Sequence, residues 1–243
     1  MQDKLFGRNP VIEALKNDRD IDKVLIKKGN NEGSINLIKK ICKEKGIVFE
    51  EAEKQKLDQI ADGGNHQGVI AFVASHSYAS VKDILDKAKS EGHPPFIIIC
   101  DKVTDPHNLG SIIRTANCVG ADGVIIPKRN SVGLNMIVAK TSCGAVEYVP
   151  VAKVTNIART IDDLKKEGIW VAGADMDGEV MGKCNLTGAI ALVIGSEGEG
   201  ISRLVRQKCD FIVSIPMNGQ INSLNASVAA GVLMYEILRQ RNN

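Results

Sequence analysis

The chain has 243 residues, 44% of them hydrophobic and 25% charged, proportions of a globular protein with room for one large or two smaller cores. Against 31 Lys and Arg stand 29 Asp and Glu, so the formal net charge is only +2; a general nucleic-acid binder would show a clear basic excess, and any such role must rest on a local patch. No run approaches the roughly 20 apolar residues that span a bilayer.

The start, MQDKLFGRNP, has no apolar signal core. The six cysteines (Cys42, Cys100, Cys118, Cys143, Cys184 and Cys209) form no C-x-x-C pair, and the four histidines are equally scattered. A cytoplasmic chain with reduced thiols, no metal and no membrane partner is expected.

In chain order, GRNPVIEAL predicts a helix with Asn9 as its cap and Pro10 at its first position. A strand (KVLIKK) follows, then a helix (INLIKKICKEKG) ended by Gly46, a short strand (IVFEE), a helix around 54–61 and a strand (GVIAFVA). Residues 75–80, SHSYAS, read as a linker before a charged helix at 81–91 and the breaker GHPP. From residue 96 the pattern changes. FIIICD, GVIIP, IWVAGAD, AIALVIG and DFIVSIP are short, continuously apolar runs separated by helical stretches, the signature of parallel strands buried on both faces. The expected fold class is therefore α/β, with a small domain at 1–76, a linker and helix at 77–93, and a larger domain with a mostly parallel sheet at 94–243.

Parallel α/β sheets bind ligands where strands end and loops enter the next helix. Three strand ends here carry unusual polar loops. In DPHNLGSIIRTAN, Asp105-Pro106 makes a turn, Asn108 is a cap for the helix that follows, and Arg114 lies off its apolar stripe, either as a solvated arginine or as an anion contact. GSEGEG has glycines at 195, 198 and 200, the reverse of the dinucleotide order and without the Lys-Ser/Thr of a phosphate loop. Its acids, Glu197 and Glu199, would repel phosphates but accept bonds from hydroxyl or amino groups. The third loop, IPMNGQINSLNAS, offers apolar walls in Ile215, Met217 and Leu224, suited to a flat heteroaromatic ring. It also sets Asn222, Ser223, Asn225 and Ser227 at the mouth of a helix whose apolar spacing runs through Val228, Val232 and Tyr235. A cap needs one such residue, not four.

These three stretches, DPHNLGSIIRTANCVGADGVII, LVIGSEGEGIS and IPMNGQINSLNASVAAGVLMYE, resemble in sequence and order the three motifs of the SpoU (TrmH) family of RNA 2′-O-ribose methyltransferases, of the SPOUT superfamily. FGRNPVIEAL and the small domain behind it are similar to the RlmB-type branch, which methylates a guanosine of 23S ribosomal RNA. The resemblance implies S-adenosylmethionine as cofactor, a trefoil knot in the carboxyl-terminal region, and a ribosomal-protein-like first domain that binds RNA. It places Gly195, Ile215, Met217, Ser223 and Leu224 at the cofactor. It places Arg114, Asn108, Glu197, Ser223 and Asn225 at the chemistry, with Asn108 holding the first loop or touching the RNA, Asn225 or Ser227 doubling as the helix cap, and Glu197 bonding Arg114 or the ribose. It further implies a homodimer with active sites at the subunit interface. Basic residues of the first domain, Arg8, Lys27, Lys28, Lys39, Lys40 and Lys43, are the RNA-contact candidates, although twelve acidic residues in the same segment offset them. The alternatives are a transfer-RNA enzyme of the same family and a catalytically silent RNA-binding protein.

Overall fold

The computed structural model describes residues 4–242. The chain packs as two units, one running to Ser77 and including Gly133–Met136, the other formed by Tyr78–Val132 and the chain from Ile137 onward.

In the first unit β1 (Lys4–Phe6), β2 (Ile21–Lys27), β3 (Phe49–Ala52) and β4 (Val69–Val73) make a sheet in the order β1-β4-β2-β3. Alternation along β2 feeds two cores: Val24 and Ile26 pack with α1 (Arg8–Lys16) and α2 (Gly33–Lys45), while Leu25 packs with α3 (Lys54–Ala61). Gly46 ends α2 in the left-handed region as expected, at φ 63°. The start of α1 differs from expectation. Its N-cap is Gly7 at φ 91°, not Asn9, and no side chain caps it. Pro10 is thus the third helical residue, where the backbone N–H it lacks would have had no partner. Strand β1 and the return of residues 133–136, where the Leu134 carbonyl accepts from the Ser75 amide and hydroxyl at 2.7 Å each, carried no signal in the sequence.

In the second unit β5 (Phe96–Cys100), β6 (Gly123–Pro127), β7 (Val151–Val154), β8 (Trp170–Val180), β9 (Ile190–Ile194) and β10 (Phe211–Ser214) form a six-stranded sheet, all neighbours parallel, ordered β10-β8-β9-β5-β6-β7. The five apolar runs are five of these strands. The unexpected one, β7, is a short edge strand. Ile97, Ile99, Ile125 and Val193 pack on one face with α4 (Val81–Glu91) and α7 (Ile157–Lys166). On the other face α5 (Pro106–Cys118) and α9 (Ala226–Arg241) pack together. Ser80, read as linker, begins α4 through a capping box: the Asp83 amide donates to Ser80 Oγ at 3.1 Å, and the Ser80 amide to Asp83 Oδ2 at 2.8 Å. The core face of α9 is Ala226, Ala230, Leu233, Met234 and Ile237; Val228 and Tyr235, in the stripe noticed first, are half exposed, at 50% and 53%. The helix is apolar on two sides, and the spacing through Val228, Val232 and Tyr235 marks the outer one.

Candidate active site

Strands β9 and β5 are neighbours, β10 lies on the far side of β8 from them, and each of the three hands its chain to one of the polar loops. Asp101, just past β5 and only 4% exposed, accepts a hydrogen bond from the Ser202 amide at 2.7 Å, and its own amide donates to the Ile194 carbonyl at 2.8 Å. The first loop is thereby tied to both ends of the second. Within the second, Ser196 and Gly200 exchange amide-to-carbonyl bonds at 3.1 Å each, with Gly198 and Gly200 at positive φ. A methyl group on Gly195 would overlap the Gly200 carbonyl carbon and the Ile201 nitrogen, so glycine is required there by the turn itself.

Asn108 is not the cap of α5. Asp105 is, its Oδ1 accepting from the His107 amide at 2.9 Å with Pro106 in the first turn. Asn108 lies one turn in and is buried, 5% exposed, because its amide meets two polar partners instead of solvent. Its Nδ2 donates to Glu197 Oε1 at 2.9 Å, and its Oδ1 accepts from Asn225 Nδ2 at 3.0 Å. Asn225 Nδ2 also donates to Glu197 Oε1, which closes a triangle with one corner from each loop. With its other end Asn225 caps α9: Oδ1 accepts from the Ser227 amide at 3.0 Å, the Val228 amide at 3.3 Å and Ser227 Oγ at 2.7 Å. Of the two residues weighed for that role, Asn225 is the cap.

Glu197 does not bond Arg114. Arg114 is exposed and makes no hydrogen bond or ion pair among the described residues. Six positions beyond Asn108, it is about 9 Å along the helix axis and about 240° around it, so it cannot share the triangle of its own chain.

Beside the triangle opens a cleft of about 900 Å³, a size that holds a nucleoside-sized ligand. All five residues expected at a cofactor, Gly195, Ile215, Met217, Ser223 and Leu224, line it, as do Glu197 and Asn225; Asn108 and Arg114 do not. The sequence reading missed the wall given by the middle of β8, Ala174, Asp175 and Met176. The run IWVAGAD held the signal, as an apolar strand that carries a carboxylate. Asp175 and Asp177 clamp Arg206 of α8 (Arg203–Lys208), at 2.5 Å and 2.8 Å, and these bonds raise the guanidinium's pKa further, Asp177 contributing most.

The basic candidates of the first unit are largely engaged. Arg8 pairs with Glu32, Lys28 with Glu53 at 3.2 Å, Lys39 with Glu51 at 2.8 Å and Lys40 with Glu44 at 3.8 Å. Arg8 and Lys27 line one recess of about 670 Å³, with Lys54 and the 64–68 loop; Lys28, Lys39 and Lys40 do not join it. Exposed pairs of this kind are worth about 0–1 kcal/mol and exchange readily for phosphate.

A parallel sheet whose strand-end loops meet around a nucleoside-sized cleft, preceded by a small α/β unit, defines a two-unit α/β protein with a ligand site at the carboxyl edge of its larger sheet. Residues 95–235 match the SpoU rRNA Methylase family, and residues 4–79 match the family described as RNA 2′-O ribose methyltransferase substrate binding. YacO of Bacillus subtilis (strain 168), named for the TrmH family of tRNA/rRNA methyltransferases, is 48% identical over 249 residues, covering 99% of this chain and 96% of that protein. A Staphylococcus aureus (strain MSSA476) protein named for the same family is 48% identical over 241 residues, covering 98% and 96%. Among solved structures, the SpoU methyltransferase AviRb of Streptomyces viridochromogenes in complex with AdoMet superposes with a TM-score of 0.62 at 25% identity, over 100% of this chain and 91% of that one. A TrmH/SpoU tRNA modifying enzyme of A. aeolicus gives 0.56 at 25% identity over 66% of this chain and 83% of its own. The chain belongs to the SpoU/TrmH family of RNA methyltransferases.

Proposed function

We propose that this protein transfers a methyl group from S-adenosylmethionine to the ribose 2′-oxygen of a guanosine in 23S ribosomal RNA, acting in the cytoplasm as a homodimer. The observation that carries the reading is the triangle of Asn108, Glu197 and Asn225, which locks three sequence-distant loops at the mouth of the cleft. The cleft suits the cofactor. Ile215, Met217 and Leu224 supply apolar surface for a ring, and the 195–200 turn lets a ligand approach the backbone. Of the lining carboxylates Asp175 is paired with Arg206 and Glu199 with Lys102 at 3.5 Å, and Glu197 is left to favour a ligand bearing ammonium, hydroxyl and sulfonium groups over a polyphosphate. The trefoil threading belongs to the same proposal, supported by two loops about twenty residues apart forming one wall of the cleft.

The bound cofactor supplies an electrophilic methyl on a positively charged sulfur. This chain's residues must then align the 2′-oxygen and take its proton. Both amide donors of the triangle use Glu197 Oε1, so Oε2 has no hydrogen bond among the described residues. Glu197 Oε2 is the acceptor of the hydroxyl proton in this reading, and Ser223 is the neighbour that orients the ribose. Arg114 remains a cation whose fork binds the ribose or its phosphate. Since it faces away from its own cleft, it acts in the cleft of the second copy. The outer stripe of α9, Val228 and Tyr235 with Val232, is the apolar surface that would pair the copies. The first unit's match to a substrate-binding family supports RNA recognition there; in this reading the RNA is ribosomal and is held through Arg8, Lys27, Lys28, Lys39, Lys40 and Lys43.

Labelled S-adenosylmethionine with unmodified 23S rRNA and, in parallel, unmodified tRNA tests the proposal. Label at one 23S guanosine as a 2′-O-methyl group is expected; label on tRNA alone would move the target, and none on either would leave an RNA-binding role. Mixing Arg114→Ala with Asn225→Ala subunits tests the shared site. Mixed dimers with one restored site would recover up to half the activity of their number, whereas sites complete within one chain would recover none.

A further inference from the structure

The amino ends of the strands, opposite the cleft, hold a side-chain cluster that methyl transfer leaves unused. Glu91 ends α4, His93 stands in the breaker GHPP, and Asp122 immediately precedes β6. One ligand atom from each lies within 4.8 Å of the others. His93 Nε2 is 3.0 Å from Glu91 Oε2 and 3.5 Å from Asp122 Oδ1.

Three features distinguish this cluster from a chance grouping of charges. Asp122 is fully buried and held in place: its Oδ2 accepts from the Phe96 amide at 2.7 Å, and its own amide donates to the Phe96 carbonyl at 2.8 Å. Its Oδ1, aimed at His93, is buried without a hydrogen-bond partner, the one side-chain polar atom so placed among the described residues. A buried carboxylate oxygen without a hydrogen bond is costly, and its contact with His93 Nε2 at 3.5 Å is an ion pair only while that ring is protonated, so with a neutral ring the oxygen calls for a ligand. Second, His93 Nδ1 lies 3.1 Å from the Pro94 carbonyl, so the tautomer that donates there presents the Nε2 lone pair to the two carboxylates. Third, tetrahedral bonds of about 2.0–2.1 Å set ligand atoms about 3.3 Å apart. The two separations of 3.0 Å and 3.5 Å straddle that value. Lys87 and Arg241 act on Asp122 from nearby and partly offset its charge, but neither hydrogen-bonds Oδ1; Arg241 donates to the Pro94 carbonyl instead.

We propose that Glu91 Oε2, His93 Nε2 and Asp122 Oδ1 bind a zinc-class divalent cation, with water in the remaining position, and that the ion ties the end of α4 to the starts of β5 and β6. Imidazole with two carboxylates suits Zn²⁺ better than Mg²⁺ or Ca²⁺, which prefer all-oxygen shells. Binding releases to solvent any proton carried on Nε2. The site is structural, so the cation leaves the methyl-transfer cleft unchanged and raises the melting temperature.

The full chain, stripped with a chelator, is titrated with Zn²⁺ at pH 8 against a competing chromophoric chelator, and its melting is followed with and without the ion. One equivalent bound is expected, with affinity falling at least tenfold in Glu91→Gln and in His93→Gln. Both side chains reach solvent, so neither change empties a core. The zinc-dependent rise in melting temperature should vanish in both, and a Cys118→Ser/Cys143→Ser double variant should bind normally. Three results would overturn the proposal: no binding at 100 µM Zn²⁺ (roughly a hundredfold above a micromolar site), equal binding in the Glu91 and His93 variants, or binding lost with the two exposed cysteines.

Discussion

Replacing Glu197 by Gln separates the structural work of this side chain from its chemical work. Oε1 accepts from both Asn108 Nδ2 and Asn225 Nδ2, and a glutamine carbonyl oxygen in the same place accepts from both as well. The triangle survives, so stability should change by no more than about 0.5 kcal/mol, as for substitutions that disrupt no packing or buried bond. What disappears is the oxygen that takes the ribose proton, and general-base contributions of about 10²–10⁴ set the expected loss of turnover. Glu197→Ala removes both. It leaves the amide of Asn108, 5% exposed, without its acceptor, at a cost of about 1–3 kcal/mol. At about 2–4 °C per kcal/mol for a unit of this size, melting should fall by about 2–12 °C. The assay is single-turnover methyl transfer with saturating cofactor, beside a thermal melt and a cofactor titration of each variant. Full turnover in Glu197→Gln would refute the proton-acceptor role. A melting loss in Glu197→Gln as large as in Glu197→Ala would refute the triangle itself.

Gly195→Ala should weaken cofactor binding at least tenfold in a calorimetric titration, because the added methyl meets backbone of Gly200 and Ile201 that cannot move without opening the turn; unchanged affinity would show the turn to be pliable. Glu236 is held by Arg239 through two bonds of 2.8 Å and by Gln240 at 2.7 Å, in that order of effect, and its pKa is lowered from 4.5 to about 2. A depressed folded pKa gives stability that is complete above about 4.5 and lost as pH falls towards 2. Melting curves between pH 6 and 2.5 should therefore fall less steeply for Glu236→Gln, and parallel curves would count against the pairing. Burial pushes the thiols of Cys42 and Cys209 up to about 11 and that of Cys100 up to about 12, whereas Cys118 and Cys143 are exposed. A thiol reagent at pH 8 should label Cys118 and Cys143 within minutes and Cys42 and Cys100 only on unfolding, as peptide mapping will show.

How legible the site was depended on how local its cause was. The glycines of GSEGEG and the polar surplus of INSLNAS stand out because each loop's chemistry is packed into a few adjacent residues. Asn108 was recognised as important, but of the tasks given to it the cap belongs to Asp105. Capping rules see only neighbours in sequence, and its partners Glu197 and Asn225 lie 89 and 117 positions away. Arg114 was recognised, while its separation from the triangle is a matter of helix phase. The wall at Asp175 and Met176 was missed because β8 reads as one more apolar strand until the stretch between its two pairings with β10 is placed at the cleft.

The sequence by itself determined the two-part α/β organisation, five of the six strands of the larger sheet and the three loops that carry chemistry. These follow from periodicity, glycine placement and apolar runs, all written within windows of about ten residues. Only the tertiary structure decided strand order, the triangle that joins the three loops, the outward face of α9, and the meeting of Glu91 and His93 with a buried Asp122. Those features depend on which distant segments become neighbours, and that is fixed by the burial of whole faces rather than by any single stretch of chain.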